Sequence, residues 1–384
     1  MIPIPFHKPS IGKEEEEAII KVLRSGYLTS GADPSIKDSR RREFEEVFAA
    51  YVGSKYAVSL NSCGSALFLS LKAYGIGEGD EVITTPMTYA ATVNAIEATG
   101  AETIFVDIDP YTLNIDHKLI EKKINSSTRA IIPVHFRGVP CNLNYINKIA
   151  KTDYPKIIIE DAAHALGTTY SGKRIGETDD IACFSFFPSK PITTGEGGMI
   201  TTNNQSIAEE VRLLSTNGLN RSSYKYGEIV KTGFKLVMTD IQAAMGLVQL
   251  SKAETLRQKR KTIANKYNEG FIGIPGLIIP PSSLMGNSSY HLYTLILDEG
   301  LDRDKFLKYL LEKGINTSIH YKPLHTHPYF KEYEDTDFPI ANEVGKRIFS
   351  LPLYPDLIDD QIEYIIENVK TCIDDYDLPL RGLS

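Results

Sequence analysis

Residues 157–200 read IIIEDAAHALGTTYSGKRIGETDDIACFSFFPSKPITTGEGGMI, and the reading of this stretch sets the fold. An apolar strand closes on Glu160 and Asp161, with His164 three residues further on. A second apolar run, IACFSFF, carries Ser185 and leads to Lys190, and the Gly-rich turn behind it opens a third strand. Short apolar runs bounded by Gly, Pro, Ser and Asp are strand signals. Neighbouring strands of this kind bring an acid, a hydroxyl and an amine to the same sheet edge, where open α/β sheets bind ligands.

Upstream the rhythm is regular. Strand patterns at 56–60, 81–85, 103–107, 130–135 and 156–160 alternate with helical ones at 65–74, 90–99, 117–124 and 143–150. Two further helices precede them, 13–25 with the apolar stripe Ile19, Ile20, Val22 and Leu23, and 44–51. Such alternation predicts an α/β fold whose mostly parallel sheet, of seven-stranded type, is covered by helices on both faces. After Ile200 come a helix at 206–215, a polar loop at 217–232 and one continuous helical pattern at 239–267. The last third changes character, with strands at 290–297 and 316–320 and helices at 303–313, 341–349 and 360–373. The predicted division is a large domain over 1–250 and a smaller α+β domain over 251–384.

A formal net charge of −7 gives no general attraction to nucleic acid or to an anionic membrane. The basic run Arg257, Lys259, Arg260 and Lys261 reads as a solvated helix face. The opening MIPIPFHKPS lacks the order of a signal peptide, and no apolar run approaches the ~20 residues of a spanning helix, so the expected location is the cytoplasm. Cys63, Cys141, Cys183 and Cys372 are widely spaced and read as buried thiols.

Three groups carry chemistry. NSCGSAL at 61–67 follows a strand and opens a helix, where free amides and the helix dipole suit a phosphate; Ser62 as a plain helix cap is the competing reading. Asp161 at a strand end could hold a protonated ring nitrogen or merely cap a loop, and His164 could be a satisfied polar residue. Lys190, set among aromatics, prolines and glycines, suits a desolvated amine that forms a Schiff base, although most lysines are solvated surface groups. A phosphate, a ring nitrogen and an aldehyde together describe pyridoxal 5′-phosphate (PLP).

The chain resembles the nucleotide-sugar aminotransferases of the DegT/DnrJ/EryC1/StrS family, PLP enzymes of the aspartate-aminotransferase-like fold. The resemblance rests on SGYLTSG at 25–31, NSCGSAL at 61–67, GDEVITTPMTYAATVNAI at 79–96, EDAAHALG at 160–167, FSFFPSKPITTGEGG at 184–198, TDIQAAMG at 239–246 and HYKPLH at 320–325. It implies that Lys190 bears the cofactor, that Asp161 pairs with the pyridine nitrogen, and that His164 lies near the phenolic oxygen. Gly64, Ser65 and Ser185 would hold the phosphate, and Tyr89 would stack on the ring. His320 and Tyr321 would lie on the substrate side. In TGFKLVMTD the chain departs from the family pattern. Lys235 stands where many members have Asn and would supply charge across a homodimer interface to the neighbour's cofactor phosphate, while Val237 leaves an Arg role unassigned.

What the resemblance implies is transfer of nitrogen from L-glutamate to a nucleotide-linked keto sugar in ping-pong order. C4 of an NDP-4-keto-6-deoxyhexose, such as a UDP-4-keto-6-deoxy-N-acetylhexosamine, is the expected acceptor, with C3 as the alternative. The loops at 217–232 and around His320 would choose the sugar. A PLP sugar dehydratase of the same fold carries His in place of the lysine, so Lys190 argues against it; a non-catalytic PLP-binding partner is the remaining rival. Zinc at His320, His325 and His327 lacks a completing carboxylate or cysteine, and no metal is expected.

Overall fold

The computed structural model describes residues 3–29, 39–151, 156–220, 227–333 and 337–377. Strands β1 (Tyr56–Leu60), β2 (Glu81–Thr84), β3 (Glu102–Phe105), β4 (Thr128–Ile131), β5 (Ile157–Asp161), β6 (Ile181–Ser185) and β7 (Gly198–Thr202) form one sheet. Their spatial order is β1-β7-β6-β5-β4-β2-β3. Pairing is parallel from β6 through β5, β4 and β2 to β3, whereas β7 runs antiparallel to both β6 and β1. The reason is the connection. Residues 186–197 contain no crossover helix, so the chain turns straight back beside β6. Ile181, Ala182, Cys183 and Phe184 are all buried, as a central strand covered on both faces requires.

Helices α1 (Lys13–Ser25), α2 (Arg40–Val52), α3 (Cys63–Ala73), α4 (Ala90–Glu97), α5 (Leu143–Ala150) and α6 (Gln205–Ser215) belong with this sheet, followed by α7 (Asp240–Ser251) and α8 (Ala253–Phe271). One core, with Leu67, Ile159 and Ile200, lies under α3. Another, with Phe44, Phe48, Phe184 and Phe186, lies under α2. The C-terminal layer is an antiparallel sheet of β8 (Leu277–Ile278), β9 (Tyr293–Leu297) and β10 (Ile348–Leu351), packed with α9 (Arg303–Glu312), α10 (Pro339–Arg347) and α11 (Asp359–Asp377). The chain start joins this layer. Ile4 is buried in its core, its N–H donates to Gly314 O (2.8 Å), and its own O accepts from Asn316 N (3.0 Å).

Four readings of local structure are corrected. The continuous helix at 239–267 is two helices, because the last turn of α7 tightens at Lys252, whose N–H donates to Gln249 O (3.2 Å). The helix at 117–124 keeps one turn, His117–Ile120. Residues 316–320 form no strand, only the isolated bridge of Ser318 with Ser350, next to that of Ile4 with Ile315. The helix at 341–349 stops at Arg347, since the fully buried Ile348–Leu351 pairs with β9 as a strand instead. All four cysteines are buried free thiols, as read. Within the loop at 217–232, residues 221–226 lie outside the described residues; Leu219 and Asn220 pair with Ile229 and Glu228.

Candidate active site

The ends of β5 and β6, the first turns of α3 and α4, and residues 318–321 surround a cavity of about 520 Å³. Gly64, Tyr89, Asp161, His164, Ser185, Lys190, His320 and Tyr321 all line it. Residues more than 250 positions apart in the chain therefore meet at the sheet edge that the sequence pattern indicated. Ser65 sits one step behind the wall, and Lys235 does not reach the cavity of its own chain: it is exposed, on a stretch running beside Leu60 and Asn61.

At one end of the cavity, α3 begins. Ser62 caps it: its hydroxyl accepts from Ser65 N (3.1 Å) and donates to the Ser65 hydroxyl (3.0 Å), so the plain capping role is real. The amides of Cys63 and Gly64, too early in the helix for an intrahelical acceptor, remain to face an anion. Gly198 makes room for this turn. A Cβ there would stand 2.4 Å from the Ser62 carbonyl, so β7 passes behind α3 only as glycine.

At the other end lies Asp161, 5% exposed. Its Oδ2 accepts from the Thr92 hydroxyl (2.8 Å) and its Oδ1 from Ala163 N (3.1 Å), while Thr92 is itself bonded to Thr88 (2.8 Å). Burial pushes the carboxyl up, and Thr92, Ala163 and the Lys190 charge oppose the rise. Each oxygen keeps a lone pair for a cationic donor.

Lys190 stands between these ends. Burial brings its amine down to about 8, with Cys63 and Asp161 resisting the shift. About a tenth of the amine is then free base at pH 7, several hundred-fold more than at the ordinary value, which favours a nucleophilic or proton-moving role. Ser185 Oγ accepts from Phe187 N (3.4 Å) at the start of the same turn.

His164 has a defined tautomer. Its Nδ1 accepts from Arg137 N (3.3 Å), so Nε2 carries the hydrogen and donates to Tyr321 Oη at 3.0 Å. Burial, with Lys190 and His320, holds the ring neutral. Burial likewise keeps the Tyr321 phenol protonated, and its own hydrogen is left free to point into the cavity. Tyr89, 67% exposed, offers an open ring face, 6.3 Å from the Tyr321 ring. His320 stacks on Phe6 (5.4 Å), and its Nδ1 contacts Ser350 Oγ (2.9 Å). His325 turns elsewhere, to Asn342 (2.7 Å).

The sequence reading missed Thr92, His291 and Arg260. His291 packs its ring 4.4 Å from that of His164, and burial keeps it neutral. Arg260 is a correction: it is not on a solvated face but buried, 4% exposed. Its Nη1 donates to Pro191 O (3.0 Å) and its Nη2 to Lys190 O (3.3 Å). Burial lowers the guanidinium to about 10, which leaves it charged at neutral pH. A signal for this was present, because 256, 260, 263, 264 and 267 recur at helical spacing and Arg260 falls inside that otherwise apolar stripe.

The residues fit PLP: an anion-binding helix start, a buried carboxylate, an amine between them and an open aromatic face. The DegT/DnrJ/EryC1/StrS aminotransferase family matches residues 9–370. The spore coat polysaccharide biosynthesis protein SpsC of Bacillus subtilis is 42% identical, over 96% of this chain and 97% of that one. Among solved structures, Spr1654 from Streptococcus pneumoniae in its PMP form is 32% identical, with a TM-score of 0.90 over 99% of this chain and 100% of that one. PseC of Helicobacter pylori, an aminotransferase involved in the biosynthesis of pseudoaminic acid, is 30% identical, with a TM-score of 0.90 over 97% of this chain and 100% of that one.

Proposed function

The chain belongs to the DegT/DnrJ/EryC1/StrS aminotransferase family and is a PLP-dependent sugar aminotransferase, and on that premise we propose that it moves the amino group of L-glutamate to C4 of an NDP-4-keto-6-deoxyhexose. A UDP-4-keto-6-deoxy-N-acetylhexosamine is the preferred acceptor, with the product feeding surface polysaccharide synthesis in the cytoplasm. Kinship with SpsC and PseC, whose names speak of polysaccharide and of an amino-sugar acid, supports this choice. The observation that carries the chemistry is a lysine amine at about 8 in one cavity with a buried, doubly hydrogen-bonded aspartate.

PLP, when bound, supplies an aldehyde carbon for an amine and a cationic ring that spreads the electron pair left by proton removal. Asp161, both of whose carboxylate oxygens are fixed by Thr92 and Ala163, would accept from the ring N–H and keep it protonated. The first-turn amides of α3, with Ser65 and Ser185, would hold the phosphate, and Tyr89 would stack on the ring. Lys190 Nζ removes the proton from the donor's Cα and, in the return half-reaction, delivers one to the sugar's former keto carbon. His164, neutral and donating to Tyr321, aims the Tyr321 hydroxyl at the phenolic oxygen or the incoming sugar. His320 stands on the sugar's side. Lys235, free of its own cavity, serves the neighbour's phosphate in a homodimer.

Incubating the enzyme and L-glutamate with a panel of NDP-keto sugars, then locating the new amine by mass spectrometry and NMR, tests this reading. Amination at C4 of a 6-deoxy-4-keto sugar is the expected result; a product aminated at C3, or none, rejects the stated acceptor.

A further inference from the structure

Arg260 occupies the middle of α8, where that helix leaves one core for another. Leu256, one turn earlier, belongs to the core under α2; Ile263, Ala264 and Tyr267 belong to the C-terminal core. Among the described residues no carboxylate lies within ion-pair distance of Arg260, and its Nε has no acceptor. Burying a guanidinium costs several kcal/mol, and two neutral carbonyls offset only part of that. An apolar side chain would complete the stripe at less cost. What arginine offers here is geometry: one planar fork spans two successive carbonyls, which a point donor cannot do.

We propose that Arg260 is a positioning residue for nitrogen transfer: its fork fixes the main chain at Lys190 and Pro191, and so aims the Lys190 amine from the helix that joins the sheet to the C-terminal layer. The inference rests on Lys190 being the amine that moves the proton. The rest of the turn has other anchors, since Lys190 N donates to Phe187 O (2.9 Å) and Thr193 N to Gln249 Oε1 (3.2 Å). Pro191, lacking an N–H, cannot anchor the segment from its own side. The two carbonyl contacts from Arg260 fill that gap.

Arg260→Met and Arg260→Lys test the assignment. In the cofactor-free protein, acetic anhydride labelling of Lys190 across pH, read by peptide mass spectrometry, reports on the amine without cofactor or sugar. In the holoenzyme, a pH titration of the lysine–cofactor imine absorbance and separate kcat and KM values report on its placement. For Arg260→Met the labelling profile and the imine titration move towards those of an ordinary lysine, and kcat falls about 10- to 100-fold with KM for glutamate little changed, as a displacement on the order of 1 Å would cause. Arg260→Lys keeps the charge but loses the fork, so the loss in kcat persists. A lower Tm with wild-type labelling and wild-type kcat overturns the proposal, leaving Arg260 a structural group. Full recovery in Arg260→Lys overturns the fork. If Arg260→Met fails to fold, Arg260→Lys decides alone. A wild type that labels as described yet takes no nitrogen from glutamate rejects the proposed function and leaves the labelling comparison valid.

Discussion

Lys190 has a thermodynamic consequence that needs no substrate. Its amine lies near 8 in the folded chain because burial disfavours the charge, against an ordinary value of 10.5 unfolded. The sign follows from proton counts. Between those two values the unfolded chain holds a proton that the folded chain has released, so stability rises with pH through that window. Below about 8 both states carry the proton and the folded state bears the full cost. Lys190→Met in the cofactor-free protein is therefore expected to be more stable than wild type at pH 7 by on the order of 2 kcal/mol, less than the full shift because the side chain keeps some solvent contact. The advantage should shrink towards zero as pH approaches 10.5, and urea unfolding at several pH values measures it. An advantage constant with pH would rule out desolvation as its source. Lys190, Asp161, His164 and Ser185 were legible because they share one contiguous run of strand ends. Thr92 and His291 were not, since a hydroxyl or imidazole acquires its role from what folding brings beside it.

At the scale of elements, the lysine turn is held by a relay starting in α1. Glu15, fully buried, accepts from Gln249 Nε2 (2.8 Å) and from Lys252 Nζ (2.8 and 3.0 Å). Gln249 Oε1 in turn accepts from Thr193 N. Burial alone would raise the Glu15 carboxyl, but Lys252, Gln249 and the Gly12 amide outweigh it and the net shift is downward. Its stabilisation is thus present at neutral pH and lost as pH falls below the ordinary glutamate range. Glu15→Ala removes an acceptor from both groups at once, while Lys252 keeps its pair with Glu14 and Gln249 Nε2 its bond to Ser10 O (2.8 Å), so a loss of about 1–2 kcal/mol is expected. The urea midpoint should fall with an unchanged slope, and a midpoint equal to wild type would refute the relay. The period of α1 predicted its helix to the residue, but the sequence could not show that α7 and α8 break at Lys252. Apolar spacing runs on through 239–267, and what separates the two helices is the tightened backbone turn at Lys252, which the period of apolar residues does not carry.

For the whole molecule, one face of the chain is unfinished. The α1 stripe read as a single apolar surface is split: Val22 is buried, yet Ile20, Leu23, Tyr27 and Leu28 are each 41–59% exposed. That face adjoins the segment carrying Lys235, because Asp240 N donates to Leu28 O (2.9 Å) and Asn61 N to Leu236 O (2.9 Å). In the proposed homodimer a second copy of the chain would cover this exposed apolar surface, and Lys235 would reach the other copy's phosphate-binding turn. The two roles separate experimentally. Leu23→Lys with Tyr27→Asp should shift sedimentation to monomer and remove activity. Lys235→Ala should sediment as wild type while retaining PLP about 10-fold more weakly, the size of one lost charge-assisted contact. On the proposed arrangement the apolar face would set association and the lysine would set cofactor retention across it, so a fully active monomer, or Lys235→Ala with wild-type PLP affinity, would separate this chain's site from any neighbour.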